Sequence, residues 1–148
     1  VTAFALDSST VLTWVLQEPR WQSVEKMLHS PGAEPLLPGP VLTEVIKRAR
    51  AKGNVSSPAQ IGATLKGQGM LVVHPKDDDL IRCAELLESS VANPSPSGST
   101  TGSTSTLSLA DGLILAIVER LGVPVVTRDL YWNDFAEQGL TRARVVTF

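Results

Sequence analysis

Four carboxylates in this chain sit where a lone acid would be poorly solvated. Asp7 closes the apolar run "AFALD", and Glu44 falls in "VLTEVI". Asp111 interrupts "SLADGLILAIV", and Asp129 comes just after "VPVVTR". Brought into one cleft, such acids raise each other's pKa, and a hard divalent ion with oxygen ligands, Mg²⁺ or Mn²⁺, relieves the repulsion. A cation held by carboxylates suits phosphodiester hydrolysis, because it lowers the pKa of water and neutralises charge developing at phosphorus. The residue types therefore point to an acidic metal site for phosphoryl chemistry, provided the fold makes the four converge.

The elements around them allow that. "AFALD" (3–7) reads as a short buried strand, with Ser8 and Ser9 as caps for a helix through "TVLTWVLQ". Helices follow at 20–30, at 41–53, where basic residues fill the last turns, and at 56–69, opened by serines and Pro58. Segment 34–40 is extended, and "MLVVHP" (70–75) is a buried-type strand followed by an amphipathic helix at 77–90. A helix at 109–122 ends at Gly122 and leads to the strand "VPVVT" (123–127), a short helix at 132–139 and the strand "RVVTF" (144–148). Strands alternating with helices imply a parallel sheet covered on both faces. In such sheets ligands lie outside the carboxyl ends of the strands. Asp7 and Asp129 end or follow strands, Asp111 opens a helix that runs back along the sheet, and Glu44 lies in the first turns of its helix, so all four reach that edge.

Each acid also has an ordinary reading. Asp7 could cap the next helix, a job Ser8 or Ser9 does equally well, and Glu44 alone would be a solvated helix residue. Asp111 fits a capping box with Ser108, and Asp129 could start a turn. "KRARAK" (47–52) is either a dipole-matched helix end or a phosphate contact. Arg128 is better placed for a scissile phosphate. His29 and His74 lack a Ser or Cys partner in any triad context, and "DDD" (77–79) suits a helix start. Trp14, Trp21 and Trp132 read as packing residues, although Trp132 near the acidic edge could stack a base.

The 148 residues suffice for one domain with a real core, and 43% apolar against 19% charged residues is a globular balance. A net charge of −2 excludes bulk attraction to polyanions, so nucleic acid would need a local basic patch. Cys83 is the single cysteine, which excludes an internal disulfide; no zinc-like cluster occurs, and no stretch is long enough to span a bilayer. With no basic leader before the first apolar residues, a cytoplasmic location is expected. The Ser/Thr/Gly/Pro tract 93–106 reads as a flexible loop inside one domain spanning 1–148. A P-loop is absent, and Ser9 stands where a haloacid-dehalogenase-type phosphotransferase would need a second Asp.

"FALDSS", "LTEV", "LSLADGLILA" and "VVTRD" stand in the order and context of PIN-domain nucleases, and the chain most resembles the VapC-type toxins of bacterial toxin–antitoxin pairs. The resemblance covers nearly the whole chain and is strongest in 1–9, 38–50 and 107–130. It implies a three-layer α/β/α fold with a mostly parallel sheet. It implies that Asp7, Glu44, Asp111 and Asp129 bind Mg²⁺ or Mn²⁺, with Ser8 and Thr127 as supporting hydroxyls. The implied activity is endonucleolytic RNA cleavage, leaving 5′-phosphate and 3′-hydroxyl ends. The implied partners are a VapB-type antitoxin, whose C-terminal segment blocks the site, and a second copy of the chain in a homodimer. Asp134, spaced slightly further from Asp129 than the family pattern, is a candidate outer ligand, and Arg128, Lys47 and Arg48 are candidate RNA contacts. Tract 93–106 is longer than the usual link before the third acid. The rival reading is a PIN-like module that binds an antitoxin or RNA without cleaving it.

Overall fold

A computed structural model describes residues 2–95 and 105–148. Strand β1 (Thr2–Leu6) leads into helices α1 (Ser8–Val15) and α2 (Trp21–Leu28), then strand β2 (Ala33–Pro38). Helices α3 (Gly39–Ala51) and α4 (Pro58–Gly67) precede strand β3 (Leu71–Val73), and helices α5 (Asp77–Ala92) and α6 (Leu109–Leu121) follow it. Strand β4 (Pro124–Thr127), helix α7 (Leu130–Glu137) and strand β5 (Arg144–Thr147) complete the order. The five strands form one sheet in the order β3-β2-β1-β4-β5, and every pairing is parallel. The sheet is thus wholly parallel, one step beyond the mostly parallel expectation.

From β1 the chain builds outward through β2 and β3, then returns to place β4 on the other side of β1, pairing Ala5 with Val125 and Leu6 with Val126. The crevice at the carboxyl ends of β1 and β4 is therefore the topological switch point, the place where open parallel sheets bind ligands. Both strands are apolar and buried: Ala5 and Leu6 in β1 and Val125 in β4 have no exposed surface.

Local chemistry sets the helix limits. Ser57 and Gln60 close a capping box around Pro58 at the start of α4, and Ser108 and Asp111 close one at the start of α6. Gly122, at φ 66°, takes the left-handed conformation that ends α6 and releases Val123 toward β4. Two boundaries differ from the sequence reading. Helix α7 starts at Leu130 because Asp129 caps it, and α1 starts at Ser8, so neither Ser8 nor Ser9 is its cap. The tract read as a flexible loop lies largely outside the described residues; its flanks meet in a bridge between Ser95 and Ser105. Among the described residues no helix is long and apolar enough to cross a membrane.

Helix α6 is apolar nearly all round, as its sequence requires, with Ile114, Leu115, Ala116, Ile117 and Val118 all buried. Its outer end is tied down by Glu119, which accepts from Arg82 Nε at 2.8 Å, Thr141 Oγ1 at 2.6 Å and the Arg142 backbone N–H at 3.1 Å. Burial pushes the Glu119 carboxyl up, but the bonds from Arg82 and Thr141 outweigh it and hold the group below the usual range. Asp79, also buried, pairs with Arg120 Nε at 2.9 Å. Both contacts lock α6 to α5.

At its inner end α6 comes so close to α5 that only glycine fits. A Cβ on Gly112 would lie 2.8 Å from Cys83 Sγ and 3.0 Å from Leu87 Cδ2. Gly112→Ala is expected to cost about 1–3 kcal/mol by overpacking and to lower the melting temperature by several degrees. Adding Cys83→Ala should restore part of the loss, because it removes the nearest clashing atom; thermal melts of the single and double variants measure the coupling.

Candidate active site

The four carboxylates reach the β1/β4 edge on separate elements, and each is oriented by a different local device. Asp7 lies between the end of β1 and α1, at the cap position of that helix, without using its side chain as a cap. Its Oδ2 accepts hydrogen bonds from Thr127 Oγ1 at 2.7 Å and Ser9 Oγ at 2.9 Å. Thr127 in turn accepts the Asp129 backbone N–H at 3.0 Å, so one hydroxyl fixes Asp7 and the start of the Asp129 loop together. Ser8 Oγ lies 3.3 Å from Glu44 Oε2 and 3.5 Å from Asp7 Oδ1, placing a single proton between two carboxylates. Asp129 Oδ1 caps α7 by accepting from the Tyr131 N–H at 3.0 Å, and Asp111 Oδ2 accepts from the Ser108 N–H at 3.1 Å.

A pattern runs through these bonds. One oxygen of each acid is committed to orientation, and the other is left over. Among the described residues Asp111 Oδ1 and Asp129 Oδ2 carry no hydrogen bond, Asp7 Oδ1 has only the long contact to Ser8, and Glu44 Oε1 is buried with no partner at all. A buried carboxylate oxygen without a donor is costly unless something else neutralises it. An all-oxygen, anionic donor set with a spare oxygen on each acid fits a hard divalent cation. Among the described residues no three acidic, histidine or cysteine side chains already stand as a closed metal-binding group. The acids are gathered and oriented but not drawn together.

Their mutual influence shows in proton affinity. Burial, then the charges of Asp7 and Asp129, push Asp111 up to about 6, against the opposing bonds from Ser108. Burial first and Asp7 next also raise Asp129, against the bond from Tyr131. Asp7, Asp111 and Asp129 therefore repel one another across the edge. Glu44 is flanked by buried Val41 and Val45, and Arg48 Nη2 stands 3.7 Å from its Oε2.

Ser9 was read from the sequence only as a helix cap, but it belongs to the site. Besides donating to Asp7 it accepts the Arg128 N–H at 3.1 Å and lies 3.4 Å from Thr127 Oγ1. Its position two residues after Asp7, on the first turn of α1, was the signal available. A second unforeseen device lies behind the edge. Tyr131 OH donates to Asn93 O at 2.7 Å and pairs with Ser90 Oγ at 2.9 Å, and Ser90 accepts the Leu107 N–H at 2.7 Å. It ties the cap of α6 to the helix that Asp129 caps. Trp132 is fully buried, so it packs and offers no face to a base. Asp134 is half-buried further along α7, while Lys47, Arg48 and Arg128 are exposed. A cavity of about 570 Å³ between α1, α2 and α4, lined by Trp14, Trp21, Ile61 and Leu65, includes none of the four acids.

The PIN domain family model matches residues 4–138. This chain belongs to the PIN domain family. The PIN fold is also what its structural relatives share. Over 99% of this chain and 98% of the other, it superposes on a chain of VapBC-1 from nontypeable Haemophilus influenzae with a TM-score of 0.68 at 12% identity. VapBC2 from Rickettsia felis, solved bound to a promoter DNA fragment, gives 0.66 at 12% identity over 99% and 98%. VapC20 of Mycobacterium tuberculosis, described as a sarcin–ricin-loop-cleaving toxin, gives 0.66 at 15% identity over 95% and 98%. No curated protein sequence matches significantly. The PIN-domain family and the α/β/α architecture expected from the sequence are thereby borne out, and chains of VapBC complexes are among the structures that share the fold.

The raised Asp111 pKa has a consequence for the metal-free fold. Below its ordinary value of 3.8 the group is protonated both folded and unfolded, and no repulsion is felt. Above about 6 it is ionised in both states and the folded state carries the full cost of burying that charge beside Asp7 and Asp129. Stability should therefore fall as pH rises through that window. Asp111→Asn, which keeps the Ser108 cap, should melt roughly 2–6 °C higher than the parent in chelator at neutral pH, after allowing for solvent screening. The difference should vanish near pH 4, as read by thermal melts across pH.

Proposed function

We propose that the protein is a Mg²⁺- or Mn²⁺-dependent endoribonuclease and the toxin of a toxin–antitoxin pair. The observation that carries the reading is Glu44 Oε1, a buried, unpartnered carboxylate oxygen beside the Ser8-bridged Asp7, on an edge where two further acids are already raised by repulsion and burial. Asp7, Asp111 and Asp129 would hold the ion, with Glu44 completing the shell or orienting water, and Asp134 as an outer ligand. When bound, the ion supplies Lewis acidity, lowering the pKa of water and neutralising charge at phosphorus.

The residues of the chain do the rest. Thr127 and Ser9 keep Asp7 from rotating away from the edge, and Ser8 holds Asp7 and Glu44 in register. Capping bonds hold one oxygen each of Asp111 and Asp129 and leave the other available to an ion. Glu44, whose carboxylate carries only the Ser8 and Arg48 contacts, is the group of this reading that accepts a proton from attacking water. The water oxygen bonds to phosphorus as the bond to the 3′ oxygen breaks, and that oxygen takes up a proton from solvent, leaving 5′-phosphate and 3′-hydroxyl ends. Arg128, Arg48 and Lys47 are the RNA contacts of this reading.

The cavity beside Trp14 and Trp21, whose lining mixes apolar side chains with Gln17, Glu25 and Asn54, is suited to an amphipathic segment of a VapB-type antitoxin. Exposed Leu80 and Val91 share one face of α5, a surface that a homodimer would cover. One buried, unpaired cysteine fits a reducing cytoplasm.

Asp7→Asn should reduce cleavage of cellular RNA by roughly 100-fold or more while leaving the thermal melt intact. EDTA should silence the parent, and Mg²⁺ or Mn²⁺ should restore it. Equal cleavage by parent and variant, or activity that persists in chelator, would exclude the reading in favour of a non-cleaving interaction module. Thr127→Val keeps the shape but removes both bonds to the Asp7–Asp129 pair. It should weaken Mn²⁺ binding by about 10–100-fold in calorimetry, with the fold retained.

A further inference from the structure

A groove of about 380 Å³ opens directly beside the acidic edge, between α1 and α3. Ser9, which donates to Asp7, and Arg128 form its end nearest the carboxylates. Arg48 and Lys52 line the α3 wall, with Glu18 the one acid facing them and Leu12 and Leu16 the apolar floor. Lys47 is not part of this lining, because it lies one position round the helix from Arg48.

We propose that this groove holds the phosphate backbone of the single-stranded RNA flanking the cleaved bond, with Arg128, Arg48 and Lys52 as its phosphate contacts. The inference rests on the nuclease reading above and adds where the strand runs. Three cations stand against Glu18 in the lining and Glu44 beside Arg48, which still leaves a local excess of positive charge in a chain of negative net charge, as a polyanion track requires. Arg48 in the last turn of α3 and Lys52 at its C-cap are four residues apart, about 6 Å along the helix axis, a step comparable with that between neighbouring phosphates of one extended strand. Among the described residues no carboxylate pairs with Lys52 or Arg128, so their charges are available.

Arg128 is also held in place before any ligand arrives. Its Nη1 donates to Thr13 Oγ1 at 3.1 Å, and its guanidinium lies 5.8 Å from the centroid of the Phe148 ring. Its backbone N–H is bound to Ser9 Oγ, one bond from Asp7. The first cation of the groove and the first acid of the site therefore share a single rigid connection. A strand lying along the groove would enter the acidic edge at Asp7.

Binding, not cleavage, tests this. A short fluorescent single-stranded oligoribonucleotide is titrated by anisotropy against the Asp7→Asn chain carrying Lys52→Ala, Arg128→Ala or, as control, Lys66→Ala on α4. Lys52→Ala and Arg128→Ala should each weaken binding several-fold and lower the slope of log Kd against log salt by roughly 0.7. Lys52→Arg should bind like the parent, and so should Lys66→Ala. Binding unchanged by Lys52→Ala and Arg128→Ala, or weakened equally by Lys66→Ala, overturns the proposal. Lys52-dependent binding of a fluorescent oligoglutamate peptide without RNA binding also overturns it, assigning the groove to an acidic protein segment. Cleavage by the unmodified chain is measured separately. RNA cleavage with groove-independent binding refutes the groove alone, whereas groove-dependent binding without cleavage refutes only the nuclease reading.

Discussion

Electrostatic repulsion among acids crowded at one sheet edge is the constraint on which this structure turns. Asp111 is raised to about 6 by burial and by its neighbours, and Asp129 is raised as well. Left to themselves, such side chains would swing apart into solvent. They are kept together because each has one oxygen anchored by a short-range bond: Asp7 by Thr127 and Ser9, Glu44 by Ser8, Asp111 by the Ser108 N–H and Asp129 by the Tyr131 N–H. Every anchor is neutral, so none cancels the charge of the group it holds; Glu44 alone also faces a cation, Arg48 at 3.7 Å. The negative potential is preserved, while one oxygen of each acid is held in place.

Anchors of this kind work only if the elements carrying them do not move. Helix α6 illustrates how that rigidity arises. Its middle is apolar on every side and buried, its far end is clamped by the Glu119 and Asp79 ion pairs, and its near end packs against α5 through Gly112. Both ion pairs are bidentate or multiply bonded, which matters because a buried carboxylate with one loose partner would weaken the fold. The Ser90–Tyr131 contact then joins the start of α6 to α7, so Asp111 and Asp129 belong to one packed unit although their elements are separated by β4. Parallel pairing of β1 with β4 brings that unit against Asp7.

The same edge changes sign within a few residues. On one side of Ser9 lie the acids; on the other, Arg128 and the basic wall of α3. Arg48 stands on the border, within 3.7 Å of Glu44 and facing the groove. An acidic surface next to a basic one is the arrangement that the proposed phosphodiester hydrolysis needs, since its substrate is an anion and the proposed site is anionic too. Without the basic flank the two would repel.

Much of this was written locally in the chain. Apolar runs of four or five residues ending at Asp7 and just before Asp129 specify buried parallel strands with acids at their carboxyl ends, and the Ser108–Asp111 spacing specifies a capped helix start. From those features alone the four carboxylates could be placed on one edge. Which oxygen of each is free could not, because that depends on partners such as Thr127, 120 residues from Asp7 in the chain. Ser9 looked like a helix cap for the same reason: its sequence neighbours are those of a cap, and its hydrogen-bond partners on β4 appear only when β1 and β4 pair. Trp132 lost its solvent face, and Arg48 and Lys52 came to share a groove with Arg128, through packing between elements distant in sequence. Periodicity and capping chemistry act over a few residues and are legible as such; the choice of hydrogen-bond partner, the burial of a side chain and the sign of a surface are decided by which distant elements pack together.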